Sequence, residues 1–233
     1  MAKFYGIGVG PGDPELITIK AVKTLQYVDI VICPEAKKDK GSIALNIVRQ
    51  YLKENTEIIF LTFPMTHDKK AVTSKALENS LVIKNEIDKG KNIGFITIGD
   101  PMVFSTYINL LPHLKSKGIQ IETIPGITSF CAVAGRVNIP LCTKEETLGI
   151  LPLMKDCFSL DKMLNDYDNL VIMKPSHDSA KMADILEAKG YSNKFVLVSK
   201  CGTEEEEICY DIDKLRKEKV HYLSTLIVKK SKV

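Results

Sequence analysis

Short apolar segments that end in glycine or proline turns alternate along this chain with segments of helical periodicity. The pattern begins with a strand at residues 4–9, a helix at residues 16–27 and a strand at residues 30–33. It continues to a last strand-like segment at residues 220–228. Alternating strands and helices are typical of a sheet covered by helices, so the sequence predicts an α/β fold.

The length of the chain limits how this pattern can be divided. Its 233 residues, 45% of them hydrophobic, suit one large domain or two of about 110 residues. We predict two α/β domains, residues 1–117 and residues 118–233. The boundary is placed close to the turns at Lys117-Gly118 and Pro125-Gly126.

Composition argues against several classes of protein. No apolar run reaches the ~18 residues that span a bilayer, and the N-terminus does not resemble a signal peptide, so we expect a cytoplasmic protein. The six cysteines form no C-x-x-C pair, which gives no indication of a zinc site or a disulfide framework. Residues 1–117 hold 16 Lys/Arg against 12 Asp/Glu. This dispersed excess suits an anionic small ligand and not a nucleic acid.

Five loops, each directly after a predicted strand, carry the candidate binding residues. They lie at residues 8–14, 99–106, 125–129, 173–175 and 200–203, and the first two share a Gly-Asp-Pro turn. Glycine at every second position of the first loop permits close backbone approach to a bound molecule. Because parallel strand ends converge on one crevice in a doubly wound sheet, we expect these loops to line a single pocket.

The same glycine-rich loop prompts an alternative from another class, a nucleotide-binding oxidoreductase. In a dinucleotide fingerprint that starts at Gly6, the third glycine would fall at position 11, where this chain has Pro11. Proline has no N–H with which to bind phosphate, which argues against this alternative. Glu35, after the second strand, is an acidic residue of the kind that a dinucleotide fingerprint includes, so the oxidoreductase alternative stays open. A non-catalytic binding module is a third possibility, but it leaves the five loops unexplained.

Four segments taken together resemble the tetrapyrrole (corrin and porphyrin) methyltransferases, and the resemblance covers essentially the whole chain. They are YGIGVGPGDPELIT at residues 5–18, IGDPMVFST at 98–106, IPGITS at 124–129 and VIMK at 171–174. Within this family, residues 33–37, 42–45, 61–68 and 221–228 are similar to the branch that methylates C20 of precorrin-2 or cobalt-factor II in cobalamin biosynthesis. A family member that methylates another ring position would share the cofactor loops and differ in the pocket wall.

The resemblance implies an architecture and a cofactor. The architecture is two α/β domains with a cofactor cleft between them, the first domain on the substrate side, and the expected assembly is a homodimer. The cofactor is S-adenosyl-L-methionine, with S-adenosyl-L-homocysteine as product. Carried over position by position, the cofactor-binding residues are Pro11, Gly99, Asp100, Pro101, Phe104, Thr128, Ser129, Met173 and Gly202.

The implied reaction is an in-line displacement in which a ring carbon attacks the sulfonium methyl group, so positioning supplies much of the catalysis. C20 must then lose a proton, and we assign no acceptor; Asp100, His67 and Tyr107 are the candidates. Possible anchors for the substrate's carboxylates are Arg49, Lys37 and Lys38. Ligation of cobalt by His67 or His177 is conceivable, but neither has a partner at metal-ligand spacing, and we assign no metal ligand.

Overall fold

The computed structural model of the chain describes residues 2–36, 42–66, 68–152, 160–175 and 178–231. It contains two compact units, Met1–Thr128 and Ser129–Val233. The division falls after Thr128 and not at residue 117, because the strand Ile121–Ile124 pairs with the first strand of the chain and so belongs to the first unit. In the described residues, no helix is both long enough and apolar enough to cross a membrane.

The described residues of the first unit form five strands and four α-helices. In chain order they are β1 (Phe4–Gly8), α1 (Ile19–Tyr27), β2 (Ile30–Glu35), α2 (Ile43–Val48), β3 (Glu57–Thr62), α3 (Lys69–Asp88), β4 (Ile93–Thr97), α4 (Tyr107–Ser116) and β5 (Ile121–Ile124). The strands form one parallel sheet in the order β3-β2-β4-β1-β5. All carboxyl ends therefore lie at one edge of this sheet, as predicted for the strand-end loops.

Both faces of the first sheet are buried at its three central strands, β2, β4 and β1. On one face Ile7, Val31 and Ile96 pack with residues of α1 and α2. On the other face Phe4 and Phe95 pack with residues of α3 and α4. Because successive strand residues point to opposite faces, strands this apolar need helices on both sides, and the result is three layers.

Two caps fix the chain as it leaves β1. The carboxylate of Asp13 accepts a hydrogen bond from Glu15 N (2.8 Å) and caps a 3₁₀ turn at Pro14–Leu16. Thr18 Oγ1 accepts from Ala21 N (3.2 Å) and caps α1. The helix predicted from residue 16 thus begins at Ile19, since both candidate caps are used in succession.

The second unit carries its own sheet. Its elements are α5 (Ser129–Val137), β6 (Leu148–Pro152), α6 (Leu160–Asp166), β7 (Asn169–Met173), α7 (Ser179–Ala188), β8 (Phe195–Ser199), β9 (Glu207–Cys209), α8 (Ile212–Lys217) and β10 (Ser224–Lys229). The strand order is β6-β7-β10-β8-β9. One face packs against α5, and the other packs against α6, α7 and α8.

The second sheet is mixed, which differs from the parallel arrangement expected for the loops. Strand β10 is antiparallel to both β7 and β8, and β9 is antiparallel to β8. Since β7 and β8 both oppose β10, their carboxyl ends lie at the edge where β10 begins. The loops after these two strands are thus gathered at one edge even though the sheet is not parallel.

Three local features were not predicted. Strand β9 begins at Glu207, the last of four consecutive glutamates, and α8 follows it with Asp211 as its cap. The last strand begins at Ser224 and not at residue 220. Before it, His221 Nδ1 accepts a hydrogen bond from Leu223 N (3.0 Å), and Ser224 Oγ donates to His221 O (2.7 Å). These side-chain bonds hold the chain in a turn.

Candidate active site

The carboxyl ends of β1, β4 and β5 meet in a cluster of backbone. Gly10 and Gly99 form an isolated antiparallel bridge, in which Gly99 N donates to Gly10 O (2.7 Å) and Gly10 N donates to Gly99 O (3.4 Å). Both glycines have positive φ, 84° and 70°. The loops after two neighbouring strands are thereby joined, which confirms the expectation that they lie together.

Glycine is required in this cluster because no side chain fits. A Cβ atom added to Gly8 would lie 2.5 Å from Gly126 N, and one added to Gly126 would lie 2.2 Å from Gly99 O. These contacts are with backbone, which cannot rotate away. We call Gly8, Gly99 and Gly126 the glycine cradle. The alternate glycines of the first loop thus allow the backbone of other loops to approach closely, and they would allow a ligand to do the same.

Asp100 ties the cradle together. One carboxylate oxygen accepts a hydrogen bond from Met102 N (2.8 Å), and the other accepts from Gly126 N (3.0 Å). Asp100 therefore closes its own turn and also joins the loop after β4 to the loop after β5. Pro101 beside it is buried, and Pro11 of the first loop is partly buried.

Phe104 is the most exposed of the predicted cofactor residues in the first unit. Its side chain is 41% exposed, and its backbone is left-handed with φ of 48°. That conformation is costly for a bulky residue and is concentrated at functional sites. The hydroxyl oxygen of the following residue, Ser105, lies 2.9 Å from Thr97 Oγ1 and accepts a hydrogen bond from Tyr107 N (3.1 Å). These contacts anchor the loop to the end of β4.

Tyr107, one of the candidates for proton transfer, lies in the core. Its side chain is fully buried, its hydroxyl is 2.6 Å from Thr123 Oγ1, and its ring stacks on Phe4. A Cβ atom on Gly6 would lie 2.3 Å from this ring. Burial raises the pKa of the Tyr107 hydroxyl, against the smaller lowering by the Thr123 hydrogen bond. The structure thus gives Tyr107 a packing role. His67, another candidate, lies outside the described residues.

A second group of predicted residues lies in the second unit. Ser129, at the start of α5, has its hydroxyl 3.7 Å from the Met173 sulfur and 3.3 Å from Thr225 Oγ1. Thr225 and Met173 are cross-strand partners in β10 and β7. Sequence analysis missed Thr225, because only the antiparallel pairing of distant strands reveals its position. Thr128, the last residue of the first unit, is partly buried.

The loops after β7 and β8 each begin with a lysine in the left-handed conformation. Lys174 has φ of 57° and Lys200 has φ of 49°. Lys174 Nζ lies 5.5 Å from the centroid of the Tyr222 ring. With Phe104, these lysines make up three of the five described non-glycine residues with positive φ. All three lie in the predicted strand-end loops, where such strain is typical of binding sites.

Gly202 is held by the side chain of Glu206, four residues further along the chain. Gly202 N donates to one carboxylate oxygen of Glu206 (2.9 Å), and Arg136 Nε donates to the other (2.5 Å). Partial burial raises the pKa of Glu206, but the bonds from Gly202 and Arg136 lower it by more, and the net pKa lies below its ordinary value. Glu206 thus links the loop after β8 to α5.

A groove of about 400 Å³ lies beside β8, β9 and α8, with Ser199, Glu207, Lys214 and His221 in its lining. Burial lowers the pKa of His221, as does Lys200, against the opposite effects of Glu205 and Glu207. None of the predicted cofactor-binding residues lines this groove.

The candidate carboxylate anchors, and the histidines considered and not assigned as cobalt ligands, fall largely outside the described residues. Lys37, Lys38 and His177 lie in the ranges that the structure does not describe. Arg49 is exposed at the end of α2. Burial raises the pKa of the nearby Cys33 thiol to about 12, and the Arg49 charge opposes this rise. Among the described residues there is no cluster of three or more His, Cys, Asp or Glu side chains suited to a metal.

The amino-acid sequence of this chain is similar to those of known proteins over nearly its whole length. A cobalt-precorrin-2 C(20)-methyltransferase of Salmonella typhimurium is 33% identical over 98% of this chain and 96% of its own length. A probable cobalt-precorrin-2 C(20)-methyltransferase of Methanocaldococcus jannaschii is 36% identical over 99% and 97%. The nucleotide-binding oxidoreductase alternative finds no support in these matches.

Solved structures share the fold. A cobalt precorrin-4 methyltransferase superimposes with a TM-score of 0.77 at 22% identity, covering 97% of this chain and 94% of its own. A uroporphyrin-III C-methyltransferase from Thermus thermophilus, complexed with S-adenosylhomocysteine, gives a TM-score of 0.69 at 18% identity and covers 98% of each chain. The profile of the Tetrapyrrole (Corrin/Porphyrin) Methylases matches residues 3–215. With its glycine cradle and its two helix-covered sheets, this chain belongs to the tetrapyrrole methylases.

Proposed function

We propose that this protein transfers the methyl group of S-adenosylmethionine to C20 of precorrin-2 in its cobalt-bearing form, as a step of cobalamin biosynthesis in the cytoplasm. The main observation in support of the proposal is the glycine cradle, a cluster of backbone segments so close together that there is no room for a single added Cβ atom at Gly8 or Gly126. The two relatives that match at 33% and 36% identity over almost their full length are named for this reaction. Both names specify the cobalt-bearing substrate, which favours it over metal-free precorrin-2.

The residues at the strand ends fit S-adenosylmethionine, which supplies a methyl group on a cationic sulfur. In the first unit we assign binding to Pro11, Gly99, Asp100, Pro101, Phe104 and Thr128. In the second unit we assign it to Ser129, Met173 and Gly202. The exposed ring of Phe104 is suited to a flat apolar group, and carboxylate oxygens such as those of Asp100 have further lone pairs for an ammonium group.

The chain's own part in this reaction is positioning. The residues around the cradle are small, apolar or already hydrogen-bonded, and such surroundings leave a reactive methyl donor intact. Holding the reacting atoms at ~3–3.5 Å in line supplies several kcal/mol without a covalent enzyme intermediate. Arg49, exposed at the end of α2 in the more basic first unit, is available to bind an acidic side chain of the macrocycle.

A member of the family that methylates another ring position is the alternative. It would use the same cradle and differ in the substrate wall, so the sequence of residues 61–68, which begins within β3, separates the two hypotheses. The experiment is calorimetric titration with S-adenosylhomocysteine, with NAD as the control ligand. We expect micromolar binding of the first ligand only. Methylation assays on the cobalt-bearing and metal-free substrates, with the product's methyl position read by NMR, then test C20. Binding of NAD alone, or a methyl group elsewhere, would contradict the proposal.

We also propose a homodimer, as the family resemblance implies. Strand β3 is an edge of the first sheet and exposes 45% of Phe60, an apolar side chain of the kind that a partner covers. Light scattering is expected to give twice the chain mass of 26.0 kDa. A mass equal to one chain at micromolar concentration would refute it.

A further inference from the structure

The first sheet separates at its carboxyl edge between β2 and β4. Their pairing ends at Ile32 and Phe95, although both strands continue. Strand β2 stays paired with β3 as far as Glu35 and Thr62, and β4 stays paired with β1 as far as Thr97. The two halves of the sheet therefore part over the last residues of β2 and β4, which leaves an opening at that edge.

This opening is also a topological switch point. From β2 the chain continues to β3, which lies at one edge of the sheet. From β4 it continues to β5, which lies at the other edge, beyond β1. Open α/β sheets bind their ligands where neighbouring strands connect in opposite directions. The opening shares β4 with the glycine cradle, so it is adjacent to the proposed cofactor site within the first unit.

Glu35, the last residue of β2, lies at this opening with an unusual environment. The residue is 7% exposed, and its main chain is held by the bond from Phe63 N to Glu35 O (2.8 Å). In the described residues its carboxylate has one hydrogen bond, a long one from Thr62 Oγ1 (3.5 Å), and no ion pair. By contrast, both carboxylate oxygens of the more exposed Asp100 accept backbone hydrogen bonds.

A buried carboxylate with so few hydrogen bonds among the described residues loses much of its hydration free energy. We therefore expect a buried carboxylate at a topological switch point to interact with a bound molecule. The acidic macrocycle of the proposed substrate offers few groups that a second carboxylate could bind. It does carry one proton that must leave, the hydrogen on C20. Of the candidates that the structure describes, Tyr107 is buried in the core, and both carboxylate oxygens of Asp100 already accept backbone hydrogen bonds.

We propose that Glu35 accepts the proton that C20 loses, an inference that depends on the proposed function. The C20–CH₃ bond forms with an electron pair of the macrocycle, and the S–CH₃ bond breaks with its pair staying on sulfur. The C20–H bond then breaks, its electron pair returns to the conjugated ring system, and the proton binds a Glu35 carboxylate oxygen. The enzyme releases that proton to solvent before the next turnover.

The test compares Glu35→Gln and Glu35→Asp with Glu54→Gln, a matched control at an exposed glutamate before β3. Glutamine keeps the size of the side chain but does not accept the proton. We expect kcat of Glu35→Gln to fall at least about 100-fold, the usual contribution of a general base. Glu35→Asp should recover part of this loss, and Glu54→Gln should match wild type.

A substrate deuterated at C20 gives a readout that a structural role would not change. We expect a larger primary isotope effect on kcat in Glu35→Gln than in wild type, because proton removal then limits the rate. Affinity for S-adenosylhomocysteine, measured by calorimetry, should be unchanged. A kcat within twofold of wild type, or a slow variant with no increase in isotope effect, would overturn the role of Glu35 but not the proposed function. Failure of wild type itself to methylate C20 would refute both.

Discussion

At the scale of single residues, the glycine cradle depends on the absence of three side chains. Gly126→Ala places a Cβ atom 2.2 Å from a backbone oxygen, and only movement of a loop relieves that contact. We expect a loss of about 1–3 kcal/mol in the free energy of unfolding. We also expect at least tenfold weaker binding of S-adenosylhomocysteine. Chemical denaturation and calorimetric titration measure the two effects.

Gly135 offers the matched control for this substitution. It lies in α5, has no positive φ, and an added Cβ atom would have no neighbour within 4 Å. Gly135→Ala should therefore stabilise the protein by about 0.5–1 kcal/mol, the usual difference between the two residues in a helix. Equal effects of the two alanine substitutions would argue against the cradle.

Substitution of Tyr107 tests whether its buried hydroxyl takes part in the reaction. Tyr107→Phe removes the hydrogen bond with Thr123 but keeps the ring that stacks on Phe4. We expect about 1 kcal/mol of destabilisation, typical of one lost hydrogen bond, and a kcat within twofold of wild type. Thermal unfolding and steady-state kinetics give both numbers. A large fall in kcat at nearly unchanged stability would make the hydroxyl a participant.

At the scale of elements, the loop between β8 and β9 depends on Glu206. Its folded-state pKa lies below its ordinary value, so ionised Glu206 stabilises the folded state. That contribution is complete above the unfolded pKa of about 4.3 and is lost as the pH falls through the lower folded pKa. Glu206→Gln should cost about 1 kcal/mol at pH 7 and progressively less below pH 4.

Urea denaturation of wild type and Glu206→Gln at several pH values measures this difference. Glu204→Gln is the control, because Glu204 is exposed in the same loop. Its stability should follow wild type throughout. A Glu206→Gln deficit that stays constant from pH 7 to pH 3 would show that the charge is not involved.

At the scale of the whole molecule, each unit has its own sheet and its own core. The proposed cofactor residues come from both units. A ligand that binds only the native state stabilises it by about 2.7 kcal/mol at 100 times its dissociation constant. We therefore expect S-adenosylhomocysteine at that excess to raise the midpoint of thermal unfolding, and NAD to leave it unchanged. Calorimetric scans with and without ligand test this, and no shift at saturation would count against native-state binding.

The sequence by itself determined the alternation of strands and helices and the loops that follow the strands. These features depend on local chemistry: apolar runs of strand length, caps such as Thr18, and glycines with positive φ such as Gly99. The elements that were missed have weak local signals. Strand β9 is three residues long and largely exposed, and it forms because β8 offers it an edge.

Only the tertiary structure decided which residues meet. The contact of Gly126 with Gly8, the hydrogen bond from Arg136 to Glu206, and the pairing of Thr225 with Met173 join residues far apart in the chain. No periodicity encodes such contacts. The same holds for burial, since Tyr107 and Glu35 are each ordinary in sequence. Packing alone makes the first a core residue and leaves the second a buried carboxylate with one long hydrogen bond among the described residues.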